Sequence, residues 1–354
     1  MTRILLFLLL SCFINISGIS QESSNQVYVC TPCNLSCDDV KYDKAGKCSH
    51  CGMALILEEE LKNYKRDTKM RIAFYLQPGV EVLDFAGPME VFAYAGYEVF
   101  TVSKTKDPII SQGILKIIPD YDINNVPQAD ILAFFGGNSS AASKSEEVIN
   151  WVKSQQNIKY HFSVCTGAFV LAEAGILDGK SATTFHDALN TLEENYSKIK
   201  VLKDARFVDN GKVITTAGIS AGIDGALHLV AKLNGLNAAR RVAYYMEYDK
   251  WTPGEGTILS KDNPYTHIVN TKTLIEYTGN YKMSDGKKVA LNINEKEKSL
   301  YALVNGIKYP LYYINKNLFE DVRKNQITFE RNESNEILNF KSSGDKDKVY
   351  SRID

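Results

Sequence analysis

No long basic run occurs anywhere in this 354-residue chain, and its formal net charge is only −1. Without a concentrated positive charge, neither a nucleic acid nor an acidic membrane surface is an expected partner. No segment after residue 20 holds enough consecutive apolar residues to span a bilayer. Cysteine is scarce outside one short region: of seven, Cys12 lies near the start, five crowd between residues 30 and 51, and Cys165 stands alone. The length is too great for one ordinary core, so two or three domains are expected. A hydrophobic fraction of 44% leaves little room for long disordered tracts.

What is present begins with a targeting segment. Arg3 precedes the apolar run from Ile4 to Leu10, which continues weakly to Ile19. Gly18-Ile19-Ser20 offers small residues to a signal peptidase ahead of the polar Gln21-Glu22-Ser23-Ser24, so residues 1–20 read as a signal peptide. An uncleaved anchor needs roughly 18 apolar residues, and Asn15 interrupts this run. Leu9-Leu10-Ser11-Cys12 is an alternative lipoprotein box anchored through Cys12, opposed by the bulky Phe13-Ile14 behind it. Each reading makes the protein exported, either periplasmic or secreted.

The cysteine cluster then has two interpretations. Export permits disulfides, but the spacing is that of a metal site. Cys30-Thr31-Pro32-Cys33 is followed, fourteen residues on, by Cys48-Ser49-His50-Cys51. Two Cys-x-x-Cys knuckles supply four thiolates to one tetrahedral zinc, leaving Cys37 and His50 over. About thirty residues cannot fold on an apolar core alone, and metal binding would supply the missing free energy. Tyr28-Val29-Cys30 and Gly46 to Leu55 resemble the heavy-metal-binding domain of metal-efflux proteins. That family usually has histidine where Cys33 stands, and the difference favours a closed structural site. Residues 27–57 are therefore expected to form a zinc-ribbon-like module held by Cys30, Cys33, Cys48 and Cys51, with a charged linker at 58–69.

From Met70 the pattern changes to alternating strands and helices. Apolar runs at Arg71 to Leu76, Val99 to Val102, Ile131 to Phe135 and His161 to Val164 read as buried strands. Helical stretches fall between them, with Pro88 expected in a first helical turn after Gly87. Such alternation predicts a mostly parallel sheet covered on both faces, with ligands beyond the strands' carboxyl ends. Cys165 stands at one of those ends, where strand passes directly into helix. There a helix N-terminus is expected to lower the thiol's pKa, and Gly136-Gly137 lets a second backbone amide reach the same point. The alternative is a small buried hydrophobe, the usual fate of an unpaired cysteine.

Five segments carry a resemblance: Leu83 to Pro88, Gly136-Gly137, Ser163 to Ala168, Ala174 to Thr184 and Thr216 to Asp224. In order and spacing they resemble the ThiJ/PfpI superfamily, above all its isocyanide hydratase branch and the related N-terminal domains of AraC-type regulators. The resemblance implies an α/β, flavodoxin-like parallel-sheet sandwich of the class I glutamine amidotransferase type over residues 70–250, forming a homodimer and acting on a small molecule. It also implies a nucleophilic Cys165, a carboxylate at Asp84, and charge stabilisation by Thr166 and Gly137, with no cofactor for catalysis. Thr166 stands where PfpI-type peptidases have histidine, and Asp84 where glyoxalase and deglycase branches have glutamate. His186 is displaced by one from the histidine of the hydratase branch and is expected to be structural; His228, within a helix, is expected to be packed or solvated.

Beyond Thr252-Pro253-Gly254-Glu255-Gly256 the pattern becomes alternating and tyrosine-rich, with hairpin signals at Asp285-Gly286 and Asn305-Gly306. Residues 265–354 are expected to form an antiparallel β-domain with few ties to the α/β layer. Tyr277 to Tyr281 and Leu318-Phe319 resemble the small β-domain appended to exported serine-β-lactamase-like hydrolases, a likeness that implies no activity.

Overall fold

A computed structural model describes residues 26–30, 40–48, 55–62, 69–155, 157–346 and 348–354. The chain divides into two units, Met1–Thr68 and Lys69–Asp354. In the first, β1 (Tyr28–Cys30) lies between two antiparallel partners, β2 (Lys41–Tyr42) and β3 (Leu55–Leu57). Residues 1–20, Cys33, Cys37, His50 and Cys51 lie outside the described residues.

The second unit opens with β4 (Arg71–Tyr75), α1 (Val82–Tyr94) and β5 (Glu98–Ser103). A small hairpin of β6 (Ile109–Ser111) and β7 (Leu115–Ile117) leads to β8 (Tyr121–Asp122) and β9 (Ile131–Phe134). Then come α2 (Ser140–Ser143), α3 (Glu146–Ser154), β10 (Tyr160–Val164) and α4 (Ala168–Glu173). A two-stranded excursion of β11 (Ser181–Ala182) and β12 (Lys200–Val201) flanks α5 (Leu189–Asn195). The layer is completed by β13 (Phe207–Asp209), β14 (Val213–Thr216), α6 (Ala221–Asn234), α7 (Leu236–Tyr245) and β15 (Thr257–Ile258).

Eight of these strands form one sheet in the order β15-β13-β14-β10-β9-β4-β5-β8. All its pairings are parallel except β13 with β14. The central strands β4 and β9 are buried along almost their whole length because both faces are covered. In β4, Ile72 and Phe74 join the core beneath α1, α6 and α7, while Ala73 and Tyr75 join the one beneath α3, α4 and α5. That alternation is the period of two expected of a pleated strand. From β4 the chain runs outward to β5 and β8, then returns to β9 on β4's other side. Such a reversal opens a crevice beyond the carboxyl ends of the strands.

One detail differs from the sequence expectation, and another agrees with it. Helix α1 begins at Val82, so Pro88 sits in its interior rather than in its first turn. Tertiary packing decides this: a Cβ at Gly87 would lie 2.7 Å from Ile223, and one at Gly222 would lie 3.3 Å from the Pro88 ring. Small residues thus let α1 and α6 cross closely, and that contact outweighs the missing proline N–H. His228 is packed, fully buried, with Nε2 3.0 Å from Asp209 and Nδ1 3.1 Å from the Tyr265 hydroxyl. Asp209 also accepts from Lys232 at 2.9 Å and from Ser260 at 3.0 Å, which fastens the segment around β15 to the sheet edge.

After α8 (Thr271–Ile275), the chain forms a closed antiparallel barrel of β16 (Gly279–Met283), β17 (Lys288–Asn294), β18 (Ser299–Val304), β19 (Ile307–Asn315), β20 (Leu318–Asp321), β21 (Gln326–Arg331), β22 (Ile337–Ser342) and β23 (Lys348–Arg352). Asn305 and Gly306, both at positive φ (50° and 81°), make the tight turn between β18 and β19. Closure of β16 on β23 leaves the barrel without a free sheet edge. Helix α7 ties this barrel to the α/β layer more firmly than the sequence suggests. Arg241 pairs with Glu320 at 2.7 Å, Asn237 donates to the Tyr313 carbonyl at 3.1 Å, and buried Arg240 donates to the carbonyls of Glu297 and Lys298.

Candidate functional site

Strand β10 ends at Val164, and the next residue turns sharply. Cys165 has a φ of 58°, left-handed backbone that a non-glycine residue enters at a cost of about 1–3 kcal/mol. Two bonds hold it there: its N–H donates to the Ala217 carbonyl at 3.1 Å, and the buried Thr184 hydroxyl donates to its carbonyl at 2.7 Å. A 3-10 turn over Cys165–Gly167 then leads into α4. Gly167 is required for this descent, since a Cβ there would meet the Phe134 carbonyl oxygen at 2.4 Å.

Asp84 comes from the first turn of α1 and is fully buried. Each of its oxygens accepts a backbone N–H: Oδ2 from Gly136 at 2.8 Å, and Oδ1 from Ile219 at 3.0 Å. Its carboxyl lies beside the Cys165 thiol, and the two groups shift each other's titration. Gly136 lies against both: a Cβ on it would be 2.6 Å from Cys165 Sγ and 2.7 Å from Asp84 Oδ2. The N–H groups of Thr166 and Gly137 point at the sulfur, and the Thr166 hydroxyl lies 3.5 Å from the Gly137 carbonyl oxygen. Gly137 has a φ of 79°, and its Cβ would strike the Gly79 carbonyl at 2.2 Å, so the loops after β4 and β9 meet without side chains between them. All four predicted residues of the site (Cys165, Asp84, Thr166 and Gly137) therefore converge beyond the carboxyl ends of β9 and β10.

The electrostatics differ from the sequence expectation. Burial, then the neighbouring Asp84 charge, pushes the Cys165 thiol up to about 12, outweighing the N–H groups of Thr166 and Gly137. Burial likewise raises Asp84 to about 6, against the lowering effect of Gly136, Ile219 and the thiol. The α-helix proper starts only at Ala168, so Cys165 does not cap it directly. Near neutral pH the pair rests as a protonated thiol beside a largely ionised carboxyl, which makes Asp84 the built-in base.

Thr184, Ala217 and Ile219, which brace the pair, also form part of the wall of a cleft of about 330 Å³. Its outer wall includes Phe185, His186 and Lys203. His186 is exposed, its ring edge-on to Phe185 and 3.6 Å from Asp187. The bracing by Thr184 and by the Ile219 N–H was not read from the sequence as part of the site. Only the Thr183-Thr184 and Gly218-Ile219 motifs hinted at it, because a hydroxyl or N–H that supports a neighbour leaves no spacing signature.

In the N-terminal unit, Cys30 and Cys48 are both buried, and Cys48 Sγ lies 3.2 Å from the Tyr42 hydroxyl. Two buried thiols suit a soft divalent ion. The described residues contain no group of three potential ligands, Cys33 and Cys51 lying outside them.

An open, mostly parallel sheet with a cysteine on a strained strand-to-helix turn, faced by a buried carboxylate, defines a flavodoxin-like α/β protein of the nucleophile-elbow type. Comparison with known sequences narrows the class. The pattern of the DJ-1/PfpI family matches residues 70–232, and that of the heavy metal binding domain matches residues 27–58. Isonitrile hydratase of Pseudomonas putida is 36% identical over 185 residues, covering 51% of this chain and 78% of that protein. The chain belongs to the DJ-1/PfpI family. The HTH-type transcriptional regulator CdhR of Pseudomonas aeruginosa is 28% identical over 177 residues, or 48% of this chain, which spans about half (52%) of the regulator's length. A crystal structure of a ThiJ/PfpI family protein from Pseudomonas syringae superposes with a TM-score of 0.49 at 29% identity, over 58% of this chain and 80% of that one.

Proposed function

We infer that this chain is a cysteine-dependent hydratase of the isocyanide hydratase type, acting on a small molecule through Cys165 and Asp84. The observation that carries the reading is the thiol–carboxylate pair, in which a carboxyl pushed up to about 6 faces a sulfur with two backbone N–H groups beside it. A group with that pKa both takes and returns a proton near neutrality. In an isocyanide the terminal carbon accepts the nucleophile. Sγ bonds to it while the S–H proton passes to Asp84, which delivers that proton to the same carbon and leaves a thioimidate. Water then adds to the carbon, giving one proton through Asp84 to the nitrogen. The C–S bond breaks, the added hydroxyl becomes the carbonyl, and its proton returns to sulfur. The sum is isocyanide plus water to formamide, with enzyme unchanged and no cofactor consumed. The N–H groups of Gly137 and Thr166, with the Thr166 hydroxyl, stabilise charge on sulfur as the C–S bond forms and breaks.

The likeness to isonitrile hydratase supports this reading over other reactions of a cysteine elbow. The wider proposal is an exported homodimer associated through the α/β domain, with one structural zinc held by Cys30, Cys33, Cys48 and Cys51. Assaying formamide release from alkyl and aryl isocyanides tests the activity. Asp84→Asn is expected to slow release by roughly two to four powers of ten. One observation favours the small-ligand half of a second reading, a small-ligand or redox-sensing module: the thiol is buried and strongly held neutral, which suits a ligand pocket and disfavours oxidation. Ligand binding without turnover in the wild type would select it.

A further inference from the structure

The barrel is built differently at its two ends. At one, α8 closes it: Leu274 and Tyr277 are fully buried, and Tyr277 packs edge-on against Phe319 and Phe329 with centroids 4.9 and 4.8 Å away. Asn317 both donates to and accepts from the Tyr277 hydroxyl, at 3.1 and 3.2 Å. At the other end most inward positions carry aliphatic side chains, with the stacked Phe340 and Tyr350 rings on one side. Val289, Leu291, Ala302, Val304, Leu311 and Ile327 line a space of about 500 Å³. An eight-stranded barrel is just wide enough either to be filled by side chains or to hold one small ligand. This one does each in turn, filled with rings below and open above. Tyr244 and Tyr245 of α7 stand beside the opening, and the Tyr245 hydroxyl donates to the Val322 carbonyl at 3.2 Å.

Charge at the mouth selects the head group. Asp321 is satisfied by its own turn, accepting from the N–H groups of Arg323 and Asn325 and from the Asn325 amide, each at 2.8 Å. Asp345 accepts from the Tyr350 hydroxyl and lies 3.8 Å from Lys287. Arg323, also at the mouth, has an exposed side chain with no hydrogen bond or ion pair among the described residues. The mouth thus carries two charges of each sign, and Arg323 is the one charged side chain among them that has neither a hydrogen bond nor an ion pair among the described residues; its free fork suits a carboxylate.

We propose that the barrel is a binding site for a single-chain amphiphile, its apolar body in the cup between Val289, Ala302 and Val304 and its anionic head on Arg323. This site is separate from the Cys165 centre and stands whether or not that centre is catalytic. The test uses the full chain and 1-anilinonaphthalene-8-sulfonate as fluorescent probe, displaced by decanoate, decanol or decylammonium. One saturable site per chain is expected, with decanoate displacing the probe best. Ala302→Trp, which fills the cup, should abolish binding; Val304→Phe is the second filling variant should the first fail to fold. Arg323→Gln should weaken decanoate about tenfold and leave decanol unchanged, the size expected for losing one charged hydrogen bond. Binding unaltered by a folded filling variant would overturn the proposal. So would no displacement by decanoate, or tighter binding of decylammonium.

Discussion

Ionising Asp84 works against the fold, and Asp84→Asn measures by how much. Burial raises this carboxyl from 3.8 to about 6, so the folded chain holds the proton more tightly than the unfolded one. The sign follows from that: the stabilisation is complete below pH 4 and is lost as pH rises through 6. A shift of about two units corresponds to about 3 kcal/mol in full, and about 2 kcal/mol of it falls between pH 4 and pH 7.5. Asparagine has no such titration. It carries a different penalty, because both oxygens of Asp84 accept backbone N–H groups and an amide must turn its own N–H toward Gly136 or Ile219. That mismatch costs about 1–3 kcal/mol at every pH. The variant should therefore be the weaker protein at pH 4, with the gap narrowing by about 2 kcal/mol at pH 7.5. Urea unfolding followed by tryptophan fluorescence is the assay, since both tryptophans, Trp151 and Trp251, lie buried in the α/β layer. Taking the difference between the proteins at each pH cancels every other titrating group. A gap that stays constant, or widens toward neutral pH, would refute the reasoning by showing that Asp84 ionises as readily in the fold as outside it.

Three further outcomes are expected. Gly136→Ala should cut turnover by roughly a hundredfold or more, the scale of a reacting group displaced by about 1 Å, because its Cβ would lie 2.6 Å from Cys165 Sγ; steady-state kinetics beside a retained melting transition would check it. Cys165 should react with iodoacetamide at pH 7 more slowly than a free model thiol and accelerate steadily above pH 9, as its pKa of about 12 requires; mass spectrometry assigns the label, and rapid modification at pH 7 would contradict the thiol–carboxylate assignment. Protein refolded with zinc should carry one ion per chain and Cys48→Ser should carry less by elemental analysis, whereas oxidised thiols without metal would favour disulfides.

The sequence disclosed what depends on local pattern. The apolar run into Val164 followed by Gly167-Ala168 marks the turn that presents Cys165, and Asn305-Gly306 marks a hairpin because both residues must take positive φ. What depends on distant neighbours was not legible. The thiol's protonation is decided by Asp84 on another helix and by burial, neither of which a strand-to-helix motif reveals. The start of α1 was misjudged because Pro88 is a local signal for a helix start, while the close approach of Gly87 and Gly222 to the facing helix is not local. Barrel closure was equally hidden, since β16 and β23 pair from opposite ends of the domain. The exposure of His186 in the cleft wall is likewise set by the fold around it and not by its neighbours in sequence.

The central claim is that Cys165 forms a covalent bond to carbon with Asp84 as its base. Mass spectrometry of the intact protein, quenched in acid during turnover of an isocyanide, tests it most directly. The account predicts an adduct of substrate mass on Cys165 in the wild type, forming much more slowly in Asp84→Asn, and neither adduct nor formamide with Cys165→Ala. Formamide release at the wild-type rate by Cys165→Ala would contradict it.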